Sequence, residues 1–229
     1  MKKYEFVPND TIIIASGTTV KRIRALVHIP VYAVSRGDLG GYIQCEENLA
    51  QTDDAWVNDN ACVYENAVVI NNAYVGGDSR VFGNAMIRDN SCVDENAQIS
   101  GNVEISGDAH IRGTAQIYSD EYEHVCIGGN AVISGNAKIW HDDFICWFNH
   151  VGLECQNNTL TAFNTSDGTI KVTRGSFLGT IDEFLAVTAQ EYTPYDEDEE
   201  ENKRINHEYK LLLEVATSRI KTAQSYSKR

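Results

Sequence analysis

Residues 53–88 read DDAWVN DNACVY ENAVVI NNAYVG GDSRVF GNAMIR when the chain is written in blocks of six. In each block the fifth residue is a branched aliphatic, the third is small, and the first two are acids, amides or glycine. The pattern runs to residue 118, stops for the four residues 119–122, and resumes through residue 146. Fifteen hexads result, with their aliphatic residues at Val57, Val63, Val69, Val75, Val81, Ile87, Val93, Ile99, Ile105, Ile111, Ile117, Ile127, Ile133, Ile139 and Ile145.

The hexad has a direct structural interpretation. Side chains two residues apart on a strand point to the same side, so the third and fifth residues face inward together. Alanine fits a narrow interior, and a β-branched residue favours extended backbone. Asparagine, aspartate and glycine tolerate the positive φ of a tight corner. Three hexads make one triangular coil, so residues 53–146 are predicted to form a left-handed parallel β-helix of about five coils, and the fold class is mainly β.

The flanking segments lack the six-residue period. Residues 1–52 are predicted to form a short N-terminal β cap over the open edge of the first coil, with strands near Thr11–Ala15 and Thr19–His28. Residues 147–229 are predicted to form a small α+β segment. Its expected elements are a hairpin of Thr159–Phe163 and Thr169–Thr173, a helix at Ile181–Glu191 that Thr180 and Glu183 cap, and a helix over residues 202–222.

The charge of the chain restricts its partners. The formal net charge is -14, and residues 51–146 hold fifteen acidic but only four basic side chains. Phosphate binding requires the opposite sign, so direct binding of nucleic acid is excluded. An acidic rod instead complements a protein with a basic surface.

Other features of the sequence predict a protein that neither spans a membrane nor is secreted. No apolar run approaches the ~18 residues of a membrane helix, and MKKYEFVPND turns polar too early for a signal peptide. The six cysteines show no C-x-x-C spacing, which indicates free thiols. We therefore expect a cytoplasmic protein, or one in the host cytoplasm if a phage encodes it.

Two columns of outward-facing residues emerge when the chain is folded at eighteen residues per coil. One reads Tyr64, Phe82, Ser100, Tyr118, Trp140, and the other reads Trp56, Tyr74, Cys92, His110, Val132. A continuous aromatic stripe in water usually marks a contact surface. The predicted binding surface is Tyr64, Phe82, Tyr118, Trp140, Trp56 and Tyr74. Three alternatives remain for what covers this surface: the C-terminal segment, a second copy in a homo-oligomer (dimer or trimer), or a foreign protein partner.

These hexads resemble the hexapeptide-repeat family of left-handed β-helix proteins, over about 41% of the chain. Much of that family consists of acyltransferases, typically trimers that bind acetyl-CoA between neighbouring prisms and use a histidine beside a protruding loop. Residues 37–57, GDLGGYIQCEENLAQTDDAWV, resemble a branch provisionally labelled as transferases. Residues 174–192, RGSFLGTIDEFLAVTAQEY, resemble uncharacterised phage and prophage proteins.

Acyl transfer would need a base and cations for the CoA phosphates. His124 is the first candidate base because it follows the 119–122 insertion, although it occupies a corner position that asparagine or aspartate fills elsewhere. His110 is the second, on an outward column. The cations are scarce, since the repeat holds only Arg80, Arg88, Arg112 and Lys138.

No metal site is expected, because His141, Asp142 and Asp143 are adjacent and would alternate sides on a strand. The sequence therefore predicts a non-enzymatic binding module without a cofactor, in which a phage protein could inhibit a host factor. The alternative is an acyltransferase that uses acetyl-CoA.

Overall fold

The computed structural model describes residues 2–151, 159–190 and 199–226. It is mainly β and contains a parallel β-solenoid of about five turns, which confirms the predicted fold class. Three parallel sheets, here called faces A, B and C, form the solenoid. Face A contains β5 (Cys62–Val63), β8 (Arg80–Val81), β11 (Gln98–Ser100), β14 (Gln116–Tyr118) and β17 (Lys138–Ile139).

Faces B and C are built from the intervening hexads. Face B contains β4 (Trp56–Val57), β7 (Tyr74–Val75), β10 (Cys92–Val93), β13 (His110–Ile111) and β16 (Val132–Ile133). Face C contains β6 (Val68–Val69), β9 (Met86–Ile87), β12 (Val103–Ile105) and β15 (Val125–Ile127). The aliphatic side chains of the hexads stack on one another in register and are fully buried, as Val63, Val81 and Ile99 are on face A. The inward direction that the pattern predicts is confirmed.

The four-residue insertion leaves the register intact. Ile105 pairs with Ile127 on face C, 22 residues later instead of 18, and both side chains stay fully buried. On face A, Ile117 pairs with Ile139 at the same enlarged interval. The extra residues are therefore expelled from the coil as a loop.

The first residue turns the corner with a positive φ in thirteen of the fifteen hexads, and the exceptions are Glu123 and His141. Asp59 and Glu65, at φ 52° and 58°, use their carboxylates to accept the backbone N–H of the residue one coil later, Gly77 at 3.1 Å and Gly83 at 2.9 Å. Glycine is needed at position 77 because a Cβ there would lie 2.6 Å from the carbonyl oxygen of Glu95. Part of the negative charge therefore satisfies backbone donors at the corners.

The N-terminal segment covers the base of the solenoid. Strand β1 (Tyr4–Ile13) pairs antiparallel with β2 (Thr19–Ala25), which pairs antiparallel with β3 (Leu39–Ile43). Strand β3 then pairs in parallel with β5, so these strands continue face A. Parallel stacking thus begins before residue 53, and β1 begins earlier than the sequence predicts.

Lys3 fastens this cap to the first coil. Its ammonium group donates to the carbonyls of Thr52, Asp53 and Ala55, the last at 2.7 Å. Burial lowers the pKa of Lys3 to about 8. Its hydrogen bonds offset the cost of burying that charge.

The last predicted hexad, residues 141–146, leaves the solenoid. Asp142–Phe144 form a 3-10 turn, and Ile145 begins β18 (Ile145–Phe148), which pairs antiparallel with β19 (Leu160–Asn164) instead of stacking on face C. The expectation of a fifteenth strand in the prism is wrong. The third residue of this hexad is Asp143, which does not suit the narrow interior that alanine fills elsewhere. Phe144 instead lies buried at the end of the core.

The C-terminal segment completes the upper end. Strand β19 pairs with β20 (Ile170–Arg174), which pairs with β21 (Phe177–Thr180), so the predicted hairpin is confirmed. Two helices follow, α1 (Ile181–Gln190) and α2 (Glu199–Tyr226), and α2 is longer at both ends than predicted. The α1 capping box forms, with the Glu183 N–H donating to the Thr180 hydroxyl. Within the described residues, no helix combines the length and apolarity needed to cross a membrane.

Candidate functional site

Residues 119–124, here called the insertion loop, link face A to face C near the upper end. Asp120 holds the loop in shape by accepting the N–H groups of Tyr122 and Glu123 at 3.0 and 3.1 Å. Asn102, one coil below, donates its side-chain amide to the carbonyls of Asp120 and Glu121. The loop thus has a defined conformation, and its side chains contribute to two distinct groups.

The first group lines a cleft of about 460 Å³, here called the aromatic cleft. Tyr118 and Trp140 are stacked with their ring centroids 6.2 Å apart, and the ring centroids of Phe144 and Trp140 are 4.0 Å apart. The lining residues are Tyr118, Ser119, Asp120, Glu123, Trp140, His141, Asp143, Phe144, Ala223 and Tyr226. The solenoid, the insertion loop and the end of α2 each contribute to this lining.

The aromatic cleft is acidic. Asp120, Glu123 and Asp143 line it, and none of its described lining residues is lysine or arginine. The Asp143 N–H donates to His141 Nδ1 at 3.1 Å, so a neutral imidazole carries its proton on Nε2, which lies 3.4 Å from Glu123. Arg219 of α2 donates to Asp143 at 2.7 Å and neutralises that carboxylate. Asp120 and Glu123 are left as the charged rim.

One cation among the described residues already approaches these rings. Lys138, on face A, places its ammonium nitrogen 5.9 Å from the centroid of the Trp140 ring. A ring face attracts a cation within about 6 Å through its quadrupole. The arrangement of rings and carboxylates is therefore suited to holding one more positive group.

The second group, here called the polar cluster, consists of Glu104, His124 and Cys126. Their ligand-type atoms lie within 4.8 Å of one another, and Cys126 Sγ is 3.1 Å from His124 Nδ1. Arg88 donates twice to one oxygen of Glu104. Burial, with Asp142 and Glu104 nearby, raises the pKa of the Cys126 thiol. A thiol with a raised pKa is a weak nucleophile at neutral pH.

The structure places the two predicted catalytic histidines on different faces. His124 precedes face C in the polar cluster, whereas His110 is half-buried on face B, with Cys92 and Val132 on the neighbouring strands. Burial lowers the pKa of His110, and Arg112 lowers it further. The two imidazoles therefore do not share a site.

The predicted aromatic columns have unequal exposure. Trp56 is fully buried and Tyr64 is 6% exposed. Gly40 of the N-terminal cap allows this burial, since a Cβ there would lie 2.7 Å from the Trp56 ring. Trp56 was predicted to be part of the binding surface, but strand β3 covers it and leaves none of it accessible.

The remaining aromatic residues of the columns are half-buried. Phe82 is stacked 5.0 Å from Tyr64, and Tyr32 of the N-terminal segment lies 4.9 Å from Tyr74. The N-terminal segment therefore covers the lower columns. Of the six predicted residues, Tyr118 and Trp140 enter the aromatic cleft.

Sequence reasoning missed Glu104 and Cys126. The pairing of these two residues could have been predicted from the sequence. The 22-residue interval across the insertion places them opposite each other on adjacent strands. His124 and Cys126 also have the two-residue spacing of side chains on one face. A scan against protein-family models and a search of curated proteins each found no match to this chain.

Proposed function

We propose that the protein is a non-enzymatic binding module that recognises a basic surface on a partner protein through the aromatic cleft. The observation that carries the proposal is the pairing of stacked rings with a carboxylate rim in a cleft where no described lining residue is lysine or arginine. An arginine side chain fits both features, because guanidinium stacks on aromatic rings and donates to carboxylates.

The insertion loop adds a second contact. Tyr122, at its exposed end, has 92% of its surface accessible. Exposed tyrosines beside a pocket are frequent anchors of protein interfaces. Tyr122 is therefore proposed to pack on the partner while the aromatic cleft receives the basic side chain.

The charge of the solenoid supports the same partner class. Residues 51–146 hold fifteen acidic but only four basic side chains, so the whole rod attracts a basic partner over a long range. Since residues 174–192 resemble phage and prophage proteins, the proposal extends to a host protein with a basic surface as the partner. Self-association stays a prediction, which sedimentation of the purified chain would test.

The test uses an arginine–glycine repeat peptide as the probe and its citrulline counterpart as the control. Citrulline keeps the shape of arginine but lacks its charge. Isothermal titration with the full chain is expected to show saturable binding of the arginine peptide, weakened by salt. Absence of binding, or equal binding of the citrulline peptide, would overturn the proposal.

A matched pair of variants locates the binding site. Asp120→Asn with Glu123→Gln removes two charges from the cleft, and Asp78→Asn with Asp108→Asn removes two from corners elsewhere. Each amide can still accept the hydrogen bonds of the original residue. The cleft variant is expected to bind the arginine peptide about tenfold more weakly, equal to about 1.4 kcal/mol, and the corner variant nearly normally. Equal losses would show that the overall charge, not the cleft, binds the peptide.

A further inference from the structure

The polar cluster shares no residue with the aromatic cleft, although the insertion loop contributes side chains to both. Glu104 and Cys126 are direct neighbours on β12 and β15, so both side chains project from face C at adjacent levels. His124 precedes Cys126 by two residues and points to the same side. One nitrogen, one sulfur and one carboxylate group thus converge from two strands and the loop.

From this convergence we propose that Glu104, His124 and Cys126 form a zinc-binding site. Zinc in proteins is bound by cysteine sulfur, histidine nitrogen and carboxylate oxygen, and the cluster supplies one of each. Bond lengths of about 2.3 Å to sulfur and 2.0 Å to nitrogen place two tetrahedral ligand atoms roughly 3.5 Å apart. The observed distance of 3.1 Å between Cys126 Sγ and His124 Nδ1 needs only a small adjustment.

The surroundings orient these ligands. Both hydrogen bonds from Arg88 go to Oε1 of Glu104, which restrains the carboxylate and would leave Oε2 to bind the metal. Asp142 accepts the backbone N–H of Cys126 at 2.9 Å and holds the strand edge in place. Partners of this kind, which hydrogen-bond to ligands, typically contribute 10- to 100-fold in metal affinity.

The coordination is incomplete with three protein ligands. On binding, a zinc–sulfur bond forms and the thiol proton passes to solvent. The fourth position takes a water molecule, and the site is open because His124 and Cys126 are both exposed. The solenoid folds through its own core, so zinc is expected to add stability locally without being required for folding.

The experiment uses the untagged, reduced full chain after removal of metals with a chelator. Cobalt(II) is the probe, because a cysteine thiolate bound to it gives a charge-transfer absorption in the near ultraviolet. One cobalt ion per chain is expected to produce this band, and zinc is expected to displace it. Absence of the band at excess cobalt would overturn the proposal.

Variants separate this site from general thiol binding. Cys126→Ser and His124→Ala change exposed residues, so the fold should persist, and both are expected to lose saturable binding. Cys92→Ser is the matched control, since Cys92 also has a histidine, His110, on the neighbouring strand. Arg88→Gln is expected to weaken binding about tenfold. A band that persists in Cys126→Ser, or disappears in Cys92→Ser, would assign the metal elsewhere.

Discussion

Tyr64 and Trp140 occupy equivalent positions of the hexad, near opposite ends of one column on face A. Tyr64 is buried beneath the N-terminal cap and stacks on Phe82, whereas Trp140 lines the aromatic cleft. The repeat gives both rings the same direction. The two rings differ in which elements pack over them. At the base these elements are the N-terminal strands, and at the top they are a loop, a turn and the end of a helix. An aromatic column is therefore a core element where it is covered and a candidate binding surface where it is not.

The largest expected effect is on stability, and it is measured by replacing one tryptophan at each end of the solenoid. Trp56→Ala removes a fully buried ring at the base and is expected to lower the free energy of unfolding by about 3–5 kcal/mol. Trp140→Ala removes a half-buried ring and is expected to cost less than about 2 kcal/mol, while it abolishes binding of the arginine peptide. Urea denaturation and titration measure both quantities. Comparable losses of stability would remove the distinction between the two ends.

A second comparison uses two glycines with nearly the same backbone conformation. Gly77 has φ 61° and Gly129 has φ 60°, so alanine at either position costs about 1–2 kcal/mol in conformational strain. At Gly77 the new Cβ would also meet the backbone of Glu95, whereas at Gly129 the nearest atom is 3.2 Å away on the Trp147 side chain, which can shift.

Gly77→Ala is therefore expected to destabilise the protein by at least about 1 kcal/mol more than Gly129→Ala, because of overpacking. Denaturant unfolding of the two variants side by side measures the difference. Equal destabilisation would indicate that the middle of the solenoid adapts as readily as its upper end.

The smallest expected effect concerns pH. Burial holds the pKa of His110 below its ordinary value of 6.5, against the opposing influence of Asp94 and Glu95. As the pH falls through about 6.5, the unfolded chain therefore takes up this proton before the folded chain does, and stability falls until the folded chain is protonated too. His110→Gln is expected to reduce this loss. Melting temperatures of the two proteins at about pH 7.5 and about pH 5.5 test it, and identical pH dependence would contradict the assignment.

The local pattern predicted the solenoid well because each hexad carries its own complete signal. An alanine, a β-branched residue and two corner residues specify the inward direction and the bend without distant information, and the loop at 119–122 was found from the interruption alone. Residues 141–146 show where prediction from the six-residue period fails. Their aliphatic residue, Ile145, fits the period, but the preceding residues form a 3-10 turn that packs Phe144 over the core.

The candidate sites were predicted less completely. His124 was identified through its place beside the insertion. Glu104 was missed because it belongs to the coil below, and Cys126, two residues after His124, was interpreted only as one of the free thiols. Tyr118 and Trp140 were found as members of a column. The acidic rim and the end of α2 that join them in the cleft depend on how the C-terminal segment packs, which no periodicity describes.

The sequence by itself determined the coil, its period, its inward core and the place where a loop leaves it, since these depend on residues a few positions apart. Only the tertiary structure decided which outward residues are covered. Gly40 and Lys3 bring the N-terminal strands onto the base, and Arg219 helps to hold α2 against the top. The physical reason is that burial of an outward face depends on contacts between segments far apart in the chain, and these contacts leave no regular spacing in the sequence.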